Sequence, residues 1–389
     1  MPEDALRPPV NGRRHCTVAF VLQHFDAGGV EKVVANLLVH LDRGRFRPAV
    51  ILFERRGSLL GAVPAEVPVY DLGGRSVRRQ VLPLLRLFAR IDPDVVYAGT
   101  NAVGLACLSA STLRGRRPPV VIGQHTTPGA YLGEAKMSRL RLALMRRLYP
   151  GAAAIAAPAA ELGDELRRLL CRPMPPVVAV PNPVIDLTVP WRATTGGAPG
   201  EDHGPHFLAA GRLSPVKGFD LLLTAFADVC REEPEARLTI CGEGEERTRL
   251  ERLARNLGID QRVEMPGFVP DPIRRLGSGR IYVMSSRREG FPNALVEALA
   301  AGMPIVSADC PVGPRLVLEN GRYGLLVANE NAPALASGML RLHRDRPLAE
   351  QLRQRGPERA APFDVRVATR AFADLFSAVA AGELPAVTA

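Results

Sequence analysis

Apolar residues in this chain fall into two kinds of run, and the two kinds alternate. Short unbroken runs, Thr17 to Gln23, Ala49 to Phe53, Asp94 to Ala98 and Pro119 to Gly123, read as strands buried on both faces. Between them, apolar positions recur at helical spacing. One helix is predicted from Val30 to Leu41. Another stripe carries Val77, Val81, Leu84, Leu85 and Phe88, with Arg79, Arg86 and Arg90 on a different face. A strand from Ala152 to Ala157 runs into Pro158.

The alternation stops at residues 181–206, a stretch rich in Pro, Gly and Thr without periodicity, which reads as a linker. It then restarts. Strands are predicted at His206 to Ala210, Arg237 to Cys241, Arg262 to Met265, Arg280 to Met284 and Pro304 to Ser307. Helices are predicted at about Phe219 to Glu232, Glu245 to Leu257 and Pro292 to Ala301. Strand–helix alternation predicts parallel sheets covered on both faces, with ligands at the carboxyl ends of strands. The expected fold is α/β, with two doubly wound Rossmann-like domains facing an interdomain cleft. The expected boundaries are 1–185, a linker at 186–206, a second domain at 207–366, and a terminal segment at 367–389. The terminal helix, about Val367 to Ala380, can pack on either domain, the N-terminal one included.

Composition narrows the function. The chain has 389 residues, 47% hydrophobic and only 5% aromatic, with a formal charge of +10. Only three of its 50 basic residues are lysines: Lys32, Lys136 and Lys217. A dispersed arginine excess without interleaved aromatics argues against nucleic acid as a partner. No apolar run approaches the ~20 residues of a spanning helix. The first fifteen residues lack the apolar core of a signal peptide. Six scattered cysteines with no CxxC pair argue against a zinc ribbon or a disulfide scaffold and fit a reducing cytosol.

Two segments concentrate chemistry. In GRLSPVKG, a strand ends at Gly211, and Arg212 and Lys217 share the short loop before the next helix. The loop reads either as a solvated turn or as a diphosphate grip, the Arg acting as a fork and the Lys as a point charge. In SSRREGFPNALVEALAAGMPIV, Glu289 sits at a strand-to-helix loop and Glu297 lies eight residues on. At ~100° per residue, eight positions make about two turns, which predicts both carboxylates on one side of the element. Pro292 suits the first helical position and has no N–H, so an anion at this helix start must use the Asn293, Ala294 or Leu295 amides. Asp92-Pro93-Asp94 looks like a metal-binding pair but precedes a strand, so it reads as a helix-to-strand turn. Gly242-x-Gly244 has Arg247 where a dinucleotide fingerprint needs its third glycine, leaving an NAD(P)-dependent oxidoreductase as a weak rival.

GRLSPVKG, then ICGEGEER, then the string from Ser286 to Ser307, in that order, resemble the family-four retaining glycosyltransferases, which have the GT-B fold. The resemblance covers most of the chain, including Gly28-Gly29 of FDAGGVEKVVANLL and the PNPV entry to the linker. The GFPN variant followed by DCPVGPR is similar to the subgroup that builds bacterial polysaccharides and lipid-linked glycans, often from UDP-sugars. The resemblance implies a metal-independent hexosyltransferase, with no cofactor beyond its nucleotide-sugar substrate. It implies that Arg212 and Lys217 bind the donor diphosphate, that Glu289 faces the sugar hydroxyls, and that Glu297 holds the ribose. It further implies that Gly211, Gly290, Phe291, Asn293, Ala294 and Leu295 complete the donor site, and that Gly28 and Gly29 would let backbone approach the phosphate or the acceptor. His125, in VVIGQHTTPG, matches the family's N-domain histidine near the reaction centre, while a strand-end histidine is also commonly structural; His24 is a weaker candidate of the same kind.

Three positions depart from the family: Pro292 for a common Gly, Leu316 for a Glu after Gly-Pro-Arg, and Pro158 for a Ser. Residues 136–149 put Met137, Leu140, Leu144 and Leu148 on one stripe opposite Arg139 and Arg146, which fits either a core helix or one resting on an anionic membrane. The implied location is cytoplasmic, with peripheral contact on the inner face of the cell membrane as the second reading.

Overall fold

The computed structural model describes residues 15–383 except 27, 75, 114–117, 134–137, 172–173, 192–203 and 278. The chain divides into two compact units. The first runs to Pro183 and takes back the segment from Val365; the second is Val184–Asp364. Each unit is a parallel sheet between helices.

The first sheet contains β1 (Cys16–Leu22), β2 (Phe46–Leu52), β3 (Val69–Asp71), β4 (Val95–Ala98), β5 (Val120–Gly123), β6 (Ala154–Ala157) and β7 (Val177–Ala179) in the order β3-β2-β1-β4-β5-β6-β7. All its pairings are parallel, with Cys16 opposite Phe46 and Val18 opposite Val95. Val18 to Leu22 are wholly buried, as central strands covered on both faces must be. The C-terminal helix, Val365–Ala381, covers one face. Its Phe372 and Phe376 rings pack edge-on against Tyr97 at 5.8 and 5.9 Å, and Phe376 also meets Phe20. Burying such a ring contributes about 1.5–3 kcal/mol. Phe376→Ala leaves a cavity between the sheet and this helix and is expected to destabilise the first unit by about 3–5 kcal/mol. Urea denaturation of wild type and variant measures this.

The second sheet contains β8 (His206–Ala210), β9 (Arg237–Cys241), β10 (Val263–Gly267), β11 (Ile281–Met284), β12 (Ile305–Ala308) and β13 (Leu325–Val327), ordered β10-β9-β8-β11-β12-β13 and parallel throughout. Strand alternation splits its core in two. Phe207, Ala209, Leu238, Ile240 and Val283 face one layer of helices, while Leu208, Cys241, Tyr282 and Met284 face the other. Pro266 is tolerated because β10 is an edge strand.

Most expected elements are present with ends shifted by a few residues. The helix expected at Pro292 to Ala301 is Asn293–Ala300; Pro292 is its N-cap, with ψ 79°, and not its first helical residue. The stripe from Val77 to Phe88 is a 3₁₀ turn, Val77–Gln80, followed by a helix, Val81–Ile91. Part of the expected linker, 192–203, lies outside the described residues, as do Lys136 and Met137. Ahead of it, Val184 and Ile185 donate to the Phe363 carbonyl, tying the start of the second unit to its end. No helix among the described residues is long and apolar enough to cross a membrane.

Candidate active site

In the second sheet the chain runs from β8 out to β9 and β10, then returns to β11 on the other side of β8. β8 and β11 are neighbours, so the strand order reverses between them. Loops leaving the carboxyl ends of such a pair diverge and open a crevice where ligands bind. Residues 211–218 follow β8 and residues 285–292 follow β11. The two segments richest in chemistry therefore flank one switch point.

They also touch. Lys217 Nζ donates to Glu289 Oε1 at 2.7 Å, and Ser286 Oγ donates to the same oxygen at 2.6 Å. The Glu289 side chain is only 8% exposed and that of Lys217 27%, so this is a largely desolvated, charge-assisted contact. Ser285 Oγ donates to the Lys217 carbonyl at 2.9 Å. Gly218, at φ 62°, passes so close that a Cβ there would lie 2.2 Å from the Ser285 carbonyl oxygen, so only glycine serves. Arg212 is exposed, and among the described residues no hydrogen bond or ion pair engages its guanidinium. Tyr282, on β11, is 1% exposed. Burial raises its pKa far above the usual value, and Glu289 and then Glu297 push it further. Both carboxylates thus lie within electrostatic reach of one phenol. The Cys310 thiol is pushed up to about 12 by burial first and Glu289 next, with Lys217 opposing. It is a neutral neighbour of the pair.

The helical relation expected between the two glutamates is absent. Residues 289–292 are not helical, so ~100° per residue cannot relate Glu289 to Glu297. Glu297 is inside the helix and 8% exposed. Of the three amides available for an anion, Asn293 donates to the Phe291 carbonyl at 3.1 Å and Leu295 to the Pro292 carbonyl at 2.9 Å. Ala294 is the one of the three that no carbonyl engages among the described residues. Phe291 packs on Phe363, ring centroids 5.4 Å apart, so its side chain belongs to the core. Gly290 sits part-exposed beside Glu289. A Cβ at Gly211 would meet Lys217 Cδ and Cε at 3.5 Å, an ordinary van der Waals contact, so space alone does not demand glycine there. The Gly242-x-Gly244 pair serves packing: at φ 151°, a Cβ on Gly242 would lie 1.8 Å from the Gly211 carbonyl oxygen. Leu213 N–H donates to the Glu243 carbonyl at 2.9 Å. This glycine turn braces the loop that carries Arg212.

In the first unit, His125 follows β5. Its Nε2 lies 2.7 Å from the Tyr97 hydroxyl, and the Asn182 amide lies beside the ring. Packed surroundings lower the imidazole pKa to about 4, with Asn182 opposing, although the residue as a whole is only partly buried. His125 is therefore neutral at pH 7. An unfolded histidine titrates near 6.5. The native pKa is the lower one, so the stability gained by keeping His125 neutral is complete above about pH 6.5 and is lost as pH falls towards 4. The urea midpoint is expected to drop across that window, and His125→Gln to flatten part of the slope. The remainder comes from His206, lowered to about 4 by burial, then Arg280 and Arg237.

Gly28 is the N-cap of the helix Gly29–His40, and the Glu31 carboxylate occupies the space its Cβ would fill. His24 Nδ1 is 3.2 Å from Asp26 and 4.0 Å from Glu31. An anion approaching this loop meets carboxylates as well as amides. Asp94 accepts the Thr17 N–H at 2.9 Å, so Asp92-Pro93-Asp94 is the turn that seats β1. The helix Ser138–Leu148 buries Met145 and exposes Leu140 (41%) and Leu144 (39%) among exposed Arg139, Arg146 and Arg147. Sequence reasoning overlooked Ser286, Tyr97, Asn182, Asp220 and Arg287. Ser286 and Arg287 lay inside the recognised string; none of the five carries a local signal of its contacts.

Known proteins bear on this geometry. The profile described as Glycosyltransferase Family 4 matches residues 27–186, and that of glycosyl transferases group 1 matches residues 199–359. An uncharacterized glycosyltransferase of Methanocaldococcus jannaschii is 31% identical over 41% of this chain and 46% of its own length. The chain thus spans under half of that relative, and 22% of a Streptomyces coelicolor exopolysaccharide phosphotransferase. A Campylobacter jejuni N-acetylgalactosamine-N,N'-diacetylbacillosaminyl-diphospho-undecaprenol 4-alpha-N-acetylgalactosaminyltransferase is 26% identical over 87% of this chain and 93% of its own. Among solved structures, Anabaena HepE in complex with UDP and glucose superposes with TM-score 0.77 at 22% identity, covering 94% of this chain and 100% of that one. Sucrose-phosphate synthase of Thermosynechococcus elongatus gives 0.79 at 17% identity, covering 95% and 100%. Both likenesses show the fold, the GT-B pairing of two parallel-sheet α/β domains. The two profiles follow one another along most of the sequence, and the chain belongs to glycosyltransferase family 4.

Proposed function

We propose that this protein is a retaining glycosyltransferase. It moves a hexose or N-acetylhexosamine from a nucleotide sugar, UDP-sugars favoured, to a glycan or lipid-linked glycan acceptor in bacterial polysaccharide synthesis. The observation that carries the reading is the Lys217–Glu289 contact at the switch point between β8 and β11. A cation on one loop and a buried carboxylate on the other suit the two ends of a sugar diphosphate. The Campylobacter relative's name, with its polyprenyl diphosphate-linked acceptor, and the UDP-glucose bound to HepE support the substrate classes.

In the proposed step the anomeric C–O bond to phosphate breaks and a bond to the acceptor oxygen forms on the same face. The acceptor proton passes to the departing phosphate oxygen. Negative charge grows on the diphosphate, so preorganised positive charge there lowers the barrier. Arg212, Lys217 and the Ala294 amide supply it, and the proposal needs no metal. Glu289 accepts hydrogen bonds from sugar hydroxyls, and Glu297 takes the ribose. Neutral His125 can donate or accept a hydrogen bond without adding charge. A UDP-sugar panel scored by thermal shift tests the reading. A true donor at a hundred times its Kd adds about 2.7 kcal/mol, and a panel with no shift rejects it. The outward Leu140 and Leu144 among arginines support contact with an anionic membrane; absence of vesicle sedimentation at both low and high salt removes that part.

A further inference from the structure

Arg287 lies inside the string from Ser286 to Ser307 at a position to which the resemblance gives no role, yet it makes several contacts in the second unit's crevice. Its two guanidinium Nη atoms donate to the two Asp220 oxygens, each at 2.8 Å, in a fork-to-fork pair. Nη1 also donates to the Pro215 carbonyl at 2.7 Å. Its backbone N–H donates to the Val216 carbonyl at 2.9 Å, and its own carbonyl accepts from Asn329 Nδ2 at 3.1 Å. Nε lies 3.4 Å from Glu330. Pro215 and Val216 immediately precede Lys217, and Asp220 sits in the first turn of the helix that the Lys217 loop opens. Arg287 itself lies two residues before Glu289. It therefore rivets the loop carrying the cation to the loop carrying the carboxylate. Burial works against the Asp220 charge, but the Arg287 fork still holds that carboxyl below the usual range.

We infer that Arg287 and Asp220 are positioning residues that set the Lys217–Glu289 geometry for donor turnover, without touching the donor. The inference rests on the proposed function of that same site. Both side chains keep partial exposure, 26% and 21%, so solvent screening limits the pair's stability and its main consequence is geometric. A displacement of about 1 Å at a reacting centre can cost on the order of a hundredfold in rate. Lysine offers a point charge where the site uses a planar fork, so Arg287→Lys keeps the ion pair and loses the second arm.

The test is a double-mutant cycle in UDP release from the UDP-sugar panel, with Arg287→Gln, Asp220→Asn and the double variant, each checked for folding by circular dichroism. Each single change is expected to lower kcat about thirtyfold with KM within threefold, and the double to fall no further than the singles. Arg287→Lys is expected between wild type and Arg287→Gln, and it decides the matter on the same readout if the stronger variants do not fold. Singles within twofold of wild type, or effects that multiply in the double, overturn the inference. Lys217→Ala run alongside separates the two failures. If it is inactive while Arg287→Gln matches wild type, only this inference falls; if Lys217→Ala is fully active, the site reading falls as well.

Discussion

Lys217→Ala is expected to lower kcat/KM for the nucleotide sugar by about 10²–10³-fold, the scale on which a single preorganised charge at a developing anion acts. The loss is expected mainly in kcat, because charge on the diphosphate grows as the sugar departs. The same substitution acts on the fold. It leaves the Glu289 carboxylate, 8% exposed, with Ser286 still donating but without its counter-charge. Removing one partner of a fully buried pair costs about 3–5 kcal/mol. With Lys217 27% exposed, about 1–2 kcal/mol is expected here. Donor kinetics and urea denaturation on one preparation measure both.

Glu289→Gln is expected to reduce kcat/KM by about 10²-fold while leaving stability unchanged or raised. The amide keeps the size of the side chain and can still accept from Ser286 Oγ. It no longer carries the charge that orders Lys217 and to which the proposed function gives the sugar hydroxyls. Replacing a buried charge whose partner reaches solvent removes a desolvation cost, so the fold does not suffer. The two variants therefore lose activity together but differ in stability, which falls in Lys217→Ala and stays level or rises in Glu289→Gln. A pair serving only to hold two loops would lower stability in both. Denaturation midpoints together with turnover distinguish these outcomes.

Much of the fold was legible in the sequence because most of the strands are short, fully apolar and closed by turn residues. His206–Ala210, Arg237–Cys241 and the helix Phe219–Glu232 stand where periodicity puts them. The strands that escaped, β3, β7 and β13, are three-residue edges with incomplete burial, too short to show a pattern. The helix start was misplaced by one residue because Pro292 caps the helix from outside. A residue before proline favours extended backbone, and the non-helical stretch back to Glu289 follows. The candidate site was legible by residue type and not by contact. Gly211, Arg212, Lys217, Glu289 and Glu297 were marked as chemistry, but Lys217 and Glu289 are 72 residues apart and the 2.7 Å between them exists only once β8 and β11 pair. Arg287 and Tyr97 lay hidden for the same reason: an arginine in an arginine-rich chain and a tyrosine ending an apolar strand carry no local mark of their partners.

The most direct test of the central claim follows the wild-type protein and Lys217→Ala by NMR with a UDP-sugar panel and a lipid-linked acceptor, in the presence of EDTA. A retaining transferase releases UDP from at least one donor, gives a product whose anomeric configuration matches the donor, and loses about 10²–10³-fold in the variant. An inverted anomeric centre, no turnover of any donor without a divalent metal, or equal rates in the two proteins would contradict it.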